Sequence, residues 1–361
     1  MRYIDCDSHI VPVDAFDSVA PEFRDQRPQV ITNPDGSSYM LYPARQKNVP
    51  EYARNIRHIF SPRRRDPRVN DPAERVADLT KMLFQTQVLV PSNGLFYHDV
   101  DPKLAASVCR SHNNAIARIV KSYPGKFIGL TTVPLEDPAV ATEELVRSVT
   151  KLGLSGPVIA PTVNGKDLDD EPLFPFYAKT QELNVPVIVH PVNTGPMPGG
   201  WSLTRHYATR GYGFWSAMGH PMANSLALAN LMFGGVLDTF PKLRFCFLEG
   251  GGTQVPHLLD GLSVIYEGEG DYSGLKTKPQ RRPADYLDRL YFSVRPEETL
   301  LQHLVEHYGA QSWVVGSDYP HADVTGNRST VPAIQAREDL STDAKEAILG
   351  NNALRLFGLA A

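Results

Sequence analysis

At 361 residues with a formal net charge of −4, the chain can bury a large core and has no excess of positive charge for a nucleic-acid face. Its apolar share of 42% and charged share of 21% are those of a folded globular protein, which excludes a disordered or fibrous chain. No apolar run approaches the roughly 20 residues that span a bilayer. Met1-Arg2-Tyr3-Ile4-Asp5 also lacks the apolar core of a secretory signal, so a cytoplasmic protein is expected. Cys6, Cys109 and Cys246 make neither a disulfide framework nor a zinc motif. Cys6 and Cys246 sit in apolar runs and are expected in the core. Arg63-Arg64-Arg65 is a lone basic run in a Pro-rich loop.

The first element is a short apolar strand, Ile4 to His9. Residues 12–70, dense in Pro, Arg, Asp and Asn, have no sustained period and read as an insertion lying over one mouth of the fold, with a short helix at 50–59. A helix over 72–84 opens on Pro72 and shows Val76, Leu79, Met82 and Leu83 as its apolar stripe. A regular alternation follows. Strands are predicted at 87–91, 127–133, 154–160, 185–190, 243–248, 290–294 and 313–316. Helices are predicted at 102–123, 138–152, 172–183, 217–240 (interrupted near Gly234-Gly235), 255–267, 296–308 and 342–357. A second long loop, rich in Gly, Pro, Trp and Tyr, occupies 191–215. Continuous apolar strands that alternate with helices mean a parallel sheet, and eight such units point to a single-domain (β/α)8 TIM barrel spanning 1–361. Neither GxGxxG nor GxxxxGK[ST] occurs, so no nucleotide fingerprint is present.

The carboxyl ends of the strands carry the chemistry. Asp7 and His9, two residues apart in a strand, project together. The fifth strand ends in His190, the sixth in Glu249 before Gly250-Gly251-Gly252, and the eighth in Asp318. In a barrel these ends form the mouth where sites are built. Acids and imidazoles buried there unpaired cost several kcal/mol each. One divalent cation held by Asp7, His9, His190 and Asp318, with a position left open for water or substrate, removes that cost.

Those residues belong to longer motifs: Asp7-Ser8-His9, Ser122-Tyr123-Pro124-Gly125-Lys126-Phe127-Ile128-Gly129-Leu130, Glu171-Pro172-Leu173-Phe174-Pro175-Phe176-Tyr177, Val189-His190-Pro191, the run Gly234 to Leu243, Gly250-Gly251-Gly252 and Gly316-Ser317-Asp318-Tyr319-Pro320. Together they resemble the metal-dependent amidohydrolase superfamily, in its aminocarboxymuconate-semialdehyde decarboxylase-like branch, over nearly all of the chain after residue 72. The resemblance implies a distorted barrel, one divalent metal (zinc most often, manganese also) and frequent homodimers. It implies that Asp7, His9, His190 and Asp318 are the ligands, with Asp7 a variant of the family's acidic form. It also implies that Asp318 handles protons and that Arg75 binds the substrate carboxylate. Where the family's decarboxylases carry a histidine before the glycines, this chain has Glu249.

The favoured expectation is a metal-dependent carbon–carbon lyase, a decarboxylase of an aromatic or unsaturated hydroxy-carboxylate. Asp318, Glu249 and His220 are the catalytic candidates. Arg75 and His321 are placed at the substrate, and Trp201, Tyr207, Tyr212, Phe214 and Trp215 wall its ring. The alternative is a hydrolase of a C–C bond, lactone or amide that uses metal-activated water with Glu249 as base. His220 competes with a helix-cap or packing role, and Arg75 with a surface ion pair. Asp5, just before the ligand pair, is read as structural.

Overall fold

The computed structural model describes residues 2–32, 34, 38–46, 71–91, 100–191, 212–268, 277–320 and 329–360. Three helices begin alike, at Pro72, Pro102 and Pro138. In each, the preceding Asp71, Asp101 or Asp137 accepts backbone N–H groups of the first turn, and proline fills the first position, where no N–H is needed. The Pro138–Leu152 helix stops at Gly153, whose φ of 72° is the left-handed conformation a Cβ disfavours.

The strands are β1 (Ile4–Ile10), β2 (Gln29–Thr32), β3 (Ser38–Leu41), β4 (Thr86–Pro91), β5 (Phe127–Gly129), β6 (Thr131–Thr132), β7 (Pro157–Ile159), β8 (Val187–Val189), β9 (Phe245–Phe247), β10 (Leu290–Val294) and β11 (Trp313–Val315). Two parallel sheets run in the orders β1-β4-β5 and β11-β10-β9-β8-β7-β6. They meet at Leu130, between β5 and β6, where the predicted 127–133 strand passes from one sheet to the other: Leu130 N–H donates to Leu89 O and Thr131 N–H to Gly156 O. At the other end, Asp318 N–H donates to Asp7 O and His9 N–H to Tyr319 O, joining the segment after β11 to β1.

Side chains alternate as a period of two requires. In β8, Val187 and Val189 enter the cluster shared with Phe176, Tyr177 and Leu231 of the helices. Ile188, between them, enters a second cluster with Val88, Val158, Cys246 and Val314 of other strands. Cys6 and Cys246 are buried there, as expected. Strand ends, by contrast, carry the polar residues.

The structure changes several of the predicted elements. The helix expected from 296 begins at Leu301, because Glu298 turns back to accept Arg295 N–H. The loop expected to reach 215 gives way to the Tyr212–Phe233 helix. The 12–70 stretch contains an antiparallel hairpin, β2 with β3, and Val11, Ala15, Phe16, Val19, Tyr42 and Ala44 pack against Leu104, Ala105 and Val108. The helix considered at 50–59 and the Arg63–Arg65 run lie outside the described residues.

His112, in the Pro102–Ser122 helix, is 1% exposed, and burial pushes its imidazole down to about 4. The unfolded chain takes up that proton first as pH falls, near 6.5. The contribution of neutral His112 is therefore present above about 6.5 and is lost as the pH falls toward 4. Between pH 7 and pH 5 the loss from this group is about 2 kcal/mol. Urea unfolding of wild type and His112→Leu at both pH values checks this: wild type should lose about 2 kcal/mol more than the variant, and equal losses would contradict it.

Candidate metal centre

Asp5 sets the centre's frame. Its Oδ1 accepts Ser317 N–H at 2.8 Å, and its Oδ2 accepts Ser317 Oγ–H at 2.6 Å and Gln87 Nε2–H at 2.9 Å. The carboxylate thus ties the end of β11 to β1 and β4 beside Asp318. Burial raises Asp5 to about 6, although the hydrogen bonds from Ser317 and Gln87 oppose that rise. The pairing of β1 with β4 slips between Asp5 and Ser8, a bulge that re-aims side chains next to the site. Gly316 is needed for the close approach, since a Cβ there would meet Asp7 Cβ at 2.5 Å.

The remaining donors arrive by register. His190 N–H donates to Ile159 O and Leu248 N–H to Val189 O, so the ends of β8 and β9 lie side by side. Glu249 N–H donates to Ser293 Oγ at 2.8 Å. Glu298 Oε2 then accepts Gly252 N–H and Thr253 N–H, fixing the glycine turn. One helical turn after His220, Asn224 Nδ2–H donates to Leu248 O, which lays that helix against Glu249. Glu249 and Asp318 both sit on left-handed backbone, φ 57° and 52°, which costs a residue with a Cβ on the order of 1–2 kcal/mol.

These elements bring six predicted residues together. His9 Nε2 lies 3.0 Å from Asp318 Oδ1, 3.8 Å from Asp7 Oδ1 and 3.7 Å from Glu249 Oε1. His190 Nε2 is 3.5 Å from Glu249 Oε1, and His220 Nδ1 is 3.2 Å from Glu249 Oε2. Donor atoms of Asp7, His9 and His190 lie within 4.8 Å of one another, as do those of His9, Glu249 and Asp318. Glu249 therefore stands close enough to act as a further donor.

The donor set fits a divalent cation. Asp7 Oδ1 is buried with no hydrogen-bond donor. His9 Nδ1–H points to Pro91 O at 3.3 Å, which leaves the Nε2 lone pair toward the carboxylates, the usual orientation of a metal-bound imidazole. Burial, opposed by His9 and reinforced by Glu249 and Asp318, pushes Asp7 well above the ordinary carboxylate range. Burial also disfavours a charged His9, but Asp318 and Glu249 outweigh it and push the imidazole up. Glu249 is the opposite case: burial would raise it, while His190 and His220 hold it well below the carboxylate range. Burial lowers His220. Crowded buried carboxylates of this kind call for positive charge at their centre.

Arg75 departs from its expected place. It is fully buried, its guanidinium donating to His9 O and to Gln87 Oε1 and lying 4.8 Å from the Tyr319 ring centroid. It braces β1 from behind through His9 O and is fully buried there, rather than open to a substrate carboxylate. Trp201, Tyr207 and His321 lie outside the described residues, as do the side chains of Tyr212, Phe214 and Trp215. Sequence reasoning passed over Ser293, Asn224 and Glu298. Only Glu298 left a signal, an acid shortly beyond the end of a strand.

The family model described as Amidohydrolase matches residues 4–359. The chain belongs to the amidohydrolase family. This amidohydrolase is 29% identical over 290 residues to the 2-amino-3-carboxymuconate-6-semialdehyde decarboxylase of Dictyostelium discoideum, covering 80% of this chain and 77% of that one. Its fold matches the crystal structure of the 5-carboxyvanillate decarboxylase of Sphingomonas paucimobilis at a TM-score of 0.74, with 21% identity and 100% of both chains covered. It also matches a mutant of the 5-carboxyvanillate decarboxylase of Novosphingobium aromaticivorans, solved with bound manganese. There the TM-score is 0.73 and the identity 19%, with 99% of this chain and 97% of that one covered. Among the described residues no helix is long and apolar enough to cross a membrane.

Asp5 gives the amidohydrolase its first test. Asp5→Asn puts an amide NH2 against groups that already donate, leaving a buried donor unsatisfied at roughly 1–3 kcal/mol. A lower melting temperature and less bound metal per chain by elemental analysis are expected. Full metal content with an unchanged melting temperature would show that Asp5 does not hold the frame.

Proposed function

We propose that this amidohydrolase is a decarboxylase of an aromatic hydroxy-carboxylate, built around one divalent ion held by Asp7, His9, His190 and Asp318. The observation that carries the reading is the convergence of donors from β1, β8, β9 and β11 on one buried centre, in a family whose matched relatives include decarboxylases. We further infer that the parallel strands close into one barrel, which the hydrogen bonds from Asp318 N–H to Asp7 O and from His9 N–H to Tyr319 O support. Two imidazoles and two carboxylates suit zinc and manganese alike.

An ion held by these residues would supply Lewis acidity toward substrate oxygens. Asp318 lines the cavity at the centre and delivers a proton to the ring carbon that bears the carboxylate. The C–C bond then breaks, its electron pair restores the ring and CO2 leaves. Asp318 regains its proton from water. Glu249, kept ionised by its imidazole neighbours, takes the proton of a substrate hydroxyl and returns it to that oxygen once the ring is restored, and His220 holds Glu249 in place.

The purified, metal-loaded protein should release CO2 from a panel of hydroxybenzoates, without oxygen from labelled water entering the organic product. Label in a new carboxyl group would instead indicate the hydrolase. Asp318→Asn should retain folded protein and lower turnover roughly 10²- to 10⁴-fold, the range of a lost general acid; unchanged turnover would remove Asp318 from the chemistry.

A further inference from the structure

The cavity at the centre is lined by Asp7, Ser216, Glu249, Gly251, Ser293, Val294, Arg295, Gly316 and Asp318. Three of these are carboxylates and one is a cation. An incoming carboxylate therefore meets acidic residues on the wall, and Arg295 is the one cation among the lining residues. Arg75, buried behind β1, is not among the residues that line the cavity. Arg295 follows β10 directly, and its side chain is exposed and makes no ion pair or hydrogen bond among the described residues. Its backbone is nonetheless anchored: Arg295 N–H donates to Glu298 Oε1 at 2.8 Å, and the other oxygen of Glu298 holds the glycine turn after Glu249. The Glu298 clamp therefore fixes where the guanidinium starts relative to the centre.

We propose that Arg295 is the residue that binds the substrate's carboxylate. A guanidinium presents paired N–H donors that match the two oxygens of a carboxylate, and Arg295 is the lining residue able to offer them. The proposal rests on the carboxylate-substrate reading above and names the group that recognises the anion. The site accordingly selects anionic acids over neutral isosteres of the same shape.

Calorimetric binding of 2-hydroxybenzoate and of neutral 2-hydroxybenzamide to manganese-loaded wild type, Arg295→Ala and Arg295→Lys tests this. Wild type should favour the acid. Arg295→Ala should weaken the acid roughly tenfold to a hundredfold, the range of hydrogen bonds to a charged group, and leave the amide unchanged. Arg295→Lys should fall between, and metal content should equal wild type in both variants. Equal acid binding by wild type and Arg295→Ala would overturn the assignment. So would a wild type that binds the acid no better than the amide, or a variant that loses metal together with affinity. Carbon dioxide release is scored separately. Arg295-dependent acid binding without CO2 keeps this assignment and removes the decarboxylase; CO2 release with an unchanged KM in Arg295→Ala does the reverse.

Discussion

One buried carboxylate joins the first parallel strand to the last. Asp5 receives Ser317 and Gln87, residues 312 and 82 positions away, and the first of these contacts sets Asp318 beside Asp7 and His9. Without that tie, β1 and the segment after β11 would rest on backbone hydrogen bonds such as Asp318 N–H to Asp7 O. Everything at the centre follows from the alignment of those two strand ends. Gly316 permits it, because any side chain there would displace Asp7. Arg75 reinforces it from the helix side, through the carbonyl of His9.

The centre concentrates unfavourable features that the surrounding structure holds in place. Carboxylates and imidazoles are withdrawn from water, and two of the acids stand on left-handed backbone. Such positions persist where neighbours over-determine them. Here the neighbours are identifiable: Ser293 and Asn224 around Glu249, Glu298 on the glycine turn, and Ser317 with Asp5 before Asp318. The proposed divalent ion would engage these carboxylates and imidazoles together.

Much of this was legible in the chain. Pro72 marked a helix start and apolar runs marked strands, because each signal is local. The strand-end acids and histidines were legible for a related reason: polar residues that close apolar runs stand out against the core pattern. What could not be read depends on distant partners. Arg75 looked like a substrate ligand on a helix, and only the packing of that helix on β1 shows that its guanidinium faces His9 O and Gln87. The β2–β3 hairpin was hidden in a Pro-rich stretch with no sustained period, and Val30 of β2 packs against a small cluster on the Pro102–Ser122 helix. Arg295 carried no signal of its own, and its meaning comes from the cavity it shares with Asp7 at the far end of the sequence.

The account stands or falls on whether Asp7, His9, His190 and Asp318 share a single ion. Diffraction from crystals of the metal-loaded protein, collected at the absorption edge of the metal, measures this directly. The account predicts one anomalous peak per chain, about 2.0–2.2 Å from each of the four donor atoms. A peak elsewhere in the chain, or no peak in protein that binds metal stoichiometrically, would contradict it.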